Sequence, residues 1–375
     1  PSPRALVVAF FYLWYGAPTG RAPRAPYAHW DHEVLPHWTP EVNAQHPSVG
    51  ARHAPPDDIH APFYPLRGPY SSADADTLRA QAEEAKAAGI DVLAMSWWGP
   101  SWREGATDTQ GVSTDARLAE AADACAAAGV RWALHMEPYP GRTAASFRED
   151  LEYLASPEGG RLLAHPALAR VAGRPLAFVY DSYHISASDW AAVLARGGAS
   201  VRGTPLDVFA VGLFLERGHG AELAAGGFDA AYPYFASERM GYGAAVRNWD
   251  AMVGELRSRG MGFFPCVAPG YDDARIRPWN AAHTIDRRGG DVYRERWEGA
   301  LRVFGRAGGG GGNVLGVAIT SYNEWGEGTQ IEPAADGVVR PAARGLPAGE
   351  YVGYGGDPYL YLNLTREYAR RLAGD

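Results

Sequence analysis

The chain is short of lysine, cysteine and long apolar runs, and each shortage narrows what it can do. Lysine is nearly absent from its 375 residues, no Lys/Arg run occurs, and the formal net charge is −8. Such a balance offers no basic patch for nucleic acid or for an anionic membrane surface. Of its two cysteines, Cys125 falls in an Ala-rich helical pattern and Cys266 in an apolar strand pattern. Both read as buried thiols rather than as a disulfide or a metal pair. The longest apolar run, Ala5 to Tyr15, is far short of the ~20 residues that span a bilayer, so no membrane contact is expected of these residues. No signal peptide opens the sequence. It begins almost directly on a strand pattern, and an address or anchor segment ahead of residue 1 is expected. Gly-x-Ser-x-Gly and a Walker loop are missing, which removes the esterase elbow and the phosphate cradle. His-x-x-x-His and Cys-x-x-Cys are missing too, so neither a metal nor a cofactor is expected.

What is present is an alternation. Short apolar, β-branched or aromatic runs predict strands at 5–14, 91–98, 132–138, 175–181, 207–214, 230–235, 262–268 and 314–322. Helical patterns fall between them at 77–89, 114–129, 144–155, 189–196, 219–226, 247–260 and 291–304, with a last one at 357–373. Several close on glycine, and the last opens on Asp-Pro, a cap followed by proline. Eight strand–helix units predict an α/β protein with one domain over 1–375, a single (β/α)8 barrel with long loops on its catalytic face. An open doubly wound sheet alternates similarly, but no Gly-x-Gly-x-x-Gly follows the first strand. The segment 16–76, rich in Pro, His, Asp and Tyr, lacks a regular pattern and reads as a functional loop. The glycine run 308–312 before the last strand reads as a flexible insertion on the opposite face.

Several strand patterns end in polar and aromatic residues: Trp14-Tyr15, Trp97-Trp98, Glu137, Tyr180-Asp181, Glu216, Tyr234, Tyr271 and Glu324. In a barrel these ends converge on the face where barrel enzymes keep their active sites. Glu324 and Glu327 lead the candidates, in Tyr322-Asn323-Glu324-Trp325-Gly326-Glu327-Gly328. Glycosidic cleavage needs a group to protonate the leaving oxygen and a second to act on the sugar's other side. Two carboxyls in one apolar environment can have their pKa values pushed apart. Pattern alone also allows two solvated loop glutamates. The chain holds 12 Trp and 20 Tyr, and such rings stack on sugars as readily as they fill cores. Both readings stay open for Trp14, Tyr15, His29, Trp30, Trp38, Trp97, Trp98 and Trp279. His135 and Glu137 alternate along one strand, share a face, and are placed to bond sugar hydroxyls or each other. Asp57-Asp58 is either a cap and turn or a ligand contact.

These residues resemble glycoside hydrolase family 99, the endo-α-1,2-mannosidases and endo-α-1,2-mannanases. The resemblance is carried by Phe11-Tyr12-Leu13-Trp14-Tyr15-Gly16, His29-Trp30-Asp31-His32, Arg52-His53-Ala54-Pro55-Pro56-Asp57-Asp58-Ile59, Tyr180-Asp181-Ser182-Tyr183, Tyr234-Phe235-Ala236, Pro269-Gly270-Tyr271, Arg277-Pro278-Trp279-Asn280, and Tyr322 through Glu332. It covers nearly the whole chain. It implies retaining, endo-acting cleavage of α-mannosides, with Glu324 as base on the sugar's own 2-hydroxyl and Glu327 as acid, then base. A 1,2-anhydro sugar is then the intermediate, and the ~5–5.5 Å carboxyl spacing of ordinary retaining enzymes is not required. Tyr12 and Tyr234 are implied near the reacting sugar, and His29, Asn323, Trp325 and Arg277 stand in the matching segments. The implied partner is a mannose-containing oligosaccharide or polysaccharide, the implied state a monomer, and the implied location the secretory route, in a Golgi lumen or outside a bacterial cell. Two positions depart from the vertebrate pattern. Gly326 stands where those members often carry His, and Trp98 where they carry Tyr. Bacterial members use Trp there and prefer a mannosyl to a glucosyl residue alongside. A non-catalytic mannan-binding protein and a metal-dependent barrel hydrolase are the rival readings.

Overall fold

In the computed structural model of the protein, residues 4–309, 312–342 and 347–374 are described. The strands are β1 (Leu6–Phe11), β2 (Val92–Trp97), β3 (Arg131–Met136), β4 (Arg174–Val179), β5 (Phe209–Leu213), β6 (Ala230–Tyr232), β7 in two pieces (Gly262–Phe263 and Cys266–Val267), and β8 (Gly316–Ile319). All pair in parallel, β1 with both β2 and β8. The first piece of β7 pairs with β6 and the second with β8, so the sheet closes on itself. Strands of a closed parallel sheet are covered on both faces and read as unbroken apolar runs. Leu-Val-Val-Ala-Phe-Phe of β1 is buried at all six positions. The interior is filled by rings: Phe10 lies 5.4 Å from Phe178 and 5.5 Å from Tyr232, and Phe178 lies 5.4 Å from Phe264.

A helix follows each strand: α1 (Ala75–Ala87), α2 (Asp115–Ala128), α3 (Ala144–Ala155), α4 (Ala187–Leu194), α5 (His219–Gly226), α6 (Trp249–Ser258), α7 (Asp291–Arg306) and α8 (Leu360–Ala373). The expected (β/α)8 barrel is the fold. Local chemistry explains the helix ends. Asp74 accepts the Thr77 amide, Thr143 and Ser146 cap each other across the start of α3, and Gly129 closes α2 at φ 72°. The helix start that differs most from expectation is the last. Asp357-Pro358 does not open α8; Asp357 accepts the Tyr359 amide in a preceding turn, and the helix begins at Leu360.

The long segment after β1 is less irregular than its composition suggests. It holds a short helix, Pro40–Asn43, and a two-residue strand, Tyr64–Pro65, paired with Ala334–Ala335 beyond the end of β8. That pairing ties the segment across the mouth of the barrel to the loop carrying the two glutamates. Gly310 and Gly311 of the glycine run lie outside the described residues. Asn313, just after it, donates to the carbonyls of Val253 and Met261, on the opposite face as expected. Cys125 and Cys266 are buried and unpaired, and burial pushes the Cys125 thiol up to about 12.

Candidate active site

A cavity of about 290 Å³ opens at the carboxyl ends of the strands, at the lower end of the range for ligand pockets. Tyr12 and Trp14 enter it from β1, Trp98 from β2, Glu137 and Pro138 from β3, Tyr180 and Asp181 from β4, and Tyr234 from β6. Ile276 and Arg277 follow β7, Glu324 and Glu327 follow β8, and His29, His32, His60 and Thr109 come from the loops. Seven of the eight strand–loop junctions therefore contribute to one hollow.

The loop after β8 is locked by its own polar groups. Ser321 exchanges bonds with Thr329, and the Glu324 amide donates to Ser321 Oγ at 2.7 Å. Gly328 turns the chain at φ 60°, with Asp272 close against it; the Asp272 amide donates to the Glu327 carbonyl at 2.8 Å. Glu324 Oε1 accepts the amides of Gly326 (2.8 Å) and Glu327 (3.3 Å). Burial, and then the Glu327 charge, push the Glu324 carboxyl up to about 8 against those bonds. Glu327 is also raised, chiefly by burial, while Arg277 Nη1, at 3.5 Å, draws it down. Arg277 is shared: the same nitrogen donates to the fully buried Asp273 at 3.0 Å. Asn280 bonds Asp273 as well, at 3.0 Å.

Behind the loop stands a buried scaffold. Asn323 exchanges two bonds with the backbone of Tyr12, at 2.7 and 3.0 Å, pinning β8 to β1. Tyr15 donates to the Asn323 carbonyl and accepts the Trp325 amide. Trp325, Tyr70, Gln81 and Arg67 all donate to Glu332, a carboxylate with no exposed surface. Glu332 is thus the third glutamate of the motif and holds the loop rather than facing the cavity.

The walls are aromatic. Trp14 stacks with Tyr12 and with His29, each at 4.4 Å, and His29 is tied to Asp108. The hydroxyls of Tyr12 and Tyr234 bond each other, and burial holds both phenols far above their ordinary range. Burial lowers His32 to about 4 and holds His60 well below the ordinary histidine range, so both imidazoles are neutral near pH 7. Glu137 accepts from Ser96 at 2.7 Å and faces His135 at 3.3 Å.

Of the residues singled out in the sequence, Tyr12, Trp14, His29, Trp98, Glu137, Tyr180, Tyr234, Arg277, Glu324 and Glu327 meet at the cavity. The others do not line it. Tyr15, Trp30, Asn323 and Trp325 lie wholly buried behind it. Trp97 points the other way from Trp98, as neighbours on a strand must, and bonds Asp115 on α2. His135 sits beneath Glu137 and bonds Tyr232 inside the barrel. Tyr271 lies under the Asp273 cluster, and Trp279 bonds the Leu35 carbonyl outside the rim. Asp57 is exposed, and Asp58 is buried in an ion pair with His53 and Arg275, so this pair serves the fold of the long segment. His60 and Asp273 were not singled out, and His32 appeared only within the segment His29–His32. Asp181 belongs to a marked strand end, and its φ of 47° appears only in the fold.

A closed barrel with paired carboxyls in an aromatic cavity has the layout of barrel glycoside hydrolases. Comparison with known proteins makes the class specific. The chain belongs to glycosyl hydrolase family 99, whose sequence model matches residues 4–374. It is 37% identical over 368 residues to the human "Glycoprotein endo-alpha-1,2-mannosidase-like protein", covering 96% of this chain and 74% of that one. It is 35% identical to the rat "Glycoprotein endo-alpha-1,2-mannosidase", covering 97% and 74%. Among solved structures it is similar to the GH99 endo-alpha-mannosidase of Bacteroides thetaiotaomicron, with a TM-score of 0.81, 31% identity, and coverage of 98% and 97%.

Proposed function

We propose that the protein is a retaining, endo-acting α-mannosidase that cleaves internal α-1,2-mannosidic bonds of high-mannose N-glycans or α-mannan. The observation that carries this reading is the pair Glu324 and Glu327 in one aromatic cavity of a family 99 chain. In the proposed reaction Glu324 takes the proton of the sugar's 2-hydroxyl. The freed oxygen attacks the anomeric carbon and closes a 1,2-anhydro ring. Glu327 gives its proton to the glycosidic oxygen as that bond breaks. Glu327 then takes a proton from water, which opens the ring at the anomeric carbon, and Glu324 returns its proton to the 2-oxygen. Two inversions leave the configuration retained. Two backbone amides on Glu324 Oε1 favour its anionic form, as a base requires. Trp98 at the cavity wall supports a preference for a mannosyl over a glucosyl residue. Substrates of this kind put the protein in the secretory route.

One observation favours a second reading, in which the roles are exchanged. As the side chains stand, burial and the Glu327 charge push the Glu324 carboxyl up to about 8, while Arg277 Nη1, 3.5 Å from Glu327, favours ionised Glu327. A mannosyl fluoride separates the two readings, because fluoride leaves without protonation. If Glu327 is the acid, Glu327→Gln keeps turnover of the fluoride and loses mannan cleavage, while Glu324→Gln loses both. The opposite pattern exchanges the roles. A Glu327→Gln variant that still cleaves mannan at the wild-type rate sinks both readings, whereas a wild type that binds mannan and cleaves none leaves a binding protein.

A further inference from the structure

The most exposed tryptophan of the described residues stands just outside the cavity. Trp38 is 81% exposed, although water-exposed indole of this extent is unfavourable. It is not a loose side chain on a loose loop. His37 packs on it at 3.7 Å, and the Trp279 ring meets it edge-on at 5.6 Å. His37 is itself held, its amide donating to Asn43 and its carbonyl accepting from Asn43. Trp279 Nε1 donates to the Leu35 carbonyl, and the Leu35 amide donates to the Ile276 carbonyl at 2.7 Å. Ile276 and Arg277 line the cavity, and Arg277 holds Glu327. The platform is therefore continuous with the wall that carries Glu327. The cavity is about 290 Å³, and a long glycan chain extends beyond it. An endo-acting enzyme has chain running outward on both sides of that point.

We propose that Trp38, pinned by His37 and Trp279, is an outer sugar platform for the leaving-group side of a long mannan chain. This rests on the reading of Glu327 as acid, because the acid stands beside the departing oxygen. Pyranose rings present apolar C–H faces to such an indole. Covering one face of it is worth roughly tenfold in affinity.

The test compares Trp38→Ala and Trp38→Phe on three substrates: polymeric α-1,2-mannan, a short mannoside with a one-sugar leaving group, and a mannosyl fluoride. Trp38→Ala is expected to lower kcat/KM on the polymer about tenfold through KM, to leave the other two unchanged, and to be largely rescued by Phe. An equal fall on all three means that the ring merely supports the site and overturns the proposal. No fall on the polymer overturns it as well. A loss that tracks chain length on the glycone side puts the platform on the wrong end. If the wild type cleaves no mannan, the proposed function has failed instead. Retardation of the Glu327→Gln protein in mannan-containing gels, with and without Trp38, then still reads the platform.

Discussion

Arg277 stands between two carboxylates, and removing one of them should move the other. Asp273 is fully buried, and Arg277 Nη1 is 3.0 Å from it and 3.5 Å from Glu327. The two carboxylates are then no more than about 6.5 Å apart, where like charges at an effective dielectric of ~20 repel by at least about 2.5 kcal/mol. Asp273→Asn removes that repulsion and frees Arg277 to close on Glu327. Both changes favour ionised Glu327, so its raised carboxyl falls toward the ordinary range. The other groups facing Glu327 remain: Glu324, Glu137 and the buried phenols of Tyr12, Tyr180, Tyr234 and Tyr271. A unit of pKa is about 1.4 kcal/mol, and water at Glu327's open edge weakens the term, so a shift of about one unit is expected. The assay is kcat/KM against pH on a natural mannoside. With Glu327 as acid, the basic limb moves about one unit lower. With the roles exchanged, the acidic limb moves lower instead. Asn280→Ala breaks a bond to Asp273 but keeps its charge, and should leave both limbs in place. Limbs that stay put in Asp273→Asn, or that rise, refute the argument.

Two further outcomes bear on the scaffold. Gly328→Ala puts a Cβ at φ 60°, 2.9 Å from the Asp272 carbonyl oxygen, so strain and backbone overlap together should cost about 3 kcal/mol and displace Glu327. Thermal unfolding and kcat/KM should both drop, and a variant equal to wild type in both would count against the tight loop. Burial alone would raise Asp58, but His53 and Arg275 hold it below the ordinary carboxylate range. Asp58→Asn should therefore destabilise by roughly 3 kcal/mol near neutral pH. A depressed carboxyl stabilises above its unfolded value and loses that contribution as pH falls through its folded value. The gap to wild type in denaturant unfolding should accordingly close below about pH 4; a gap independent of pH would show that the charge is not what matters.

Much of this protein can be read along the chain. Parallel strands buried on both faces leave continuous apolar runs, and Asp74, Thr143 and Gly129 mark helix ends through bonds made within a few residues. These are short-range effects, so the alternation of eight units and the strand end at Glu324 were legible without a fold. Chain order likewise put Glu324 and Glu327 in one turn. What the sequence could not settle was where each side chain goes once the sheet closes. Trp97 and Trp98 are equal candidates on paper, and only the direction of the β2 pleat sends one to Asp115 and the other to the cavity. Asp58 looks as available as Asp273 until Arg275 arrives from far along the chain to neutralise it, whereas Arg277, four residues from Asp273, divides its charge with Glu327. His32 and His60 become cavity walls only because the long segment folds back over the barrel mouth through Tyr64–Pro65. Local sequence determined the elements and brought the candidate pair of glutamates together. Contacts between residues tens to hundreds of positions apart decided the cavity and how deeply the two glutamates are buried, because burial is a property of the closed barrel.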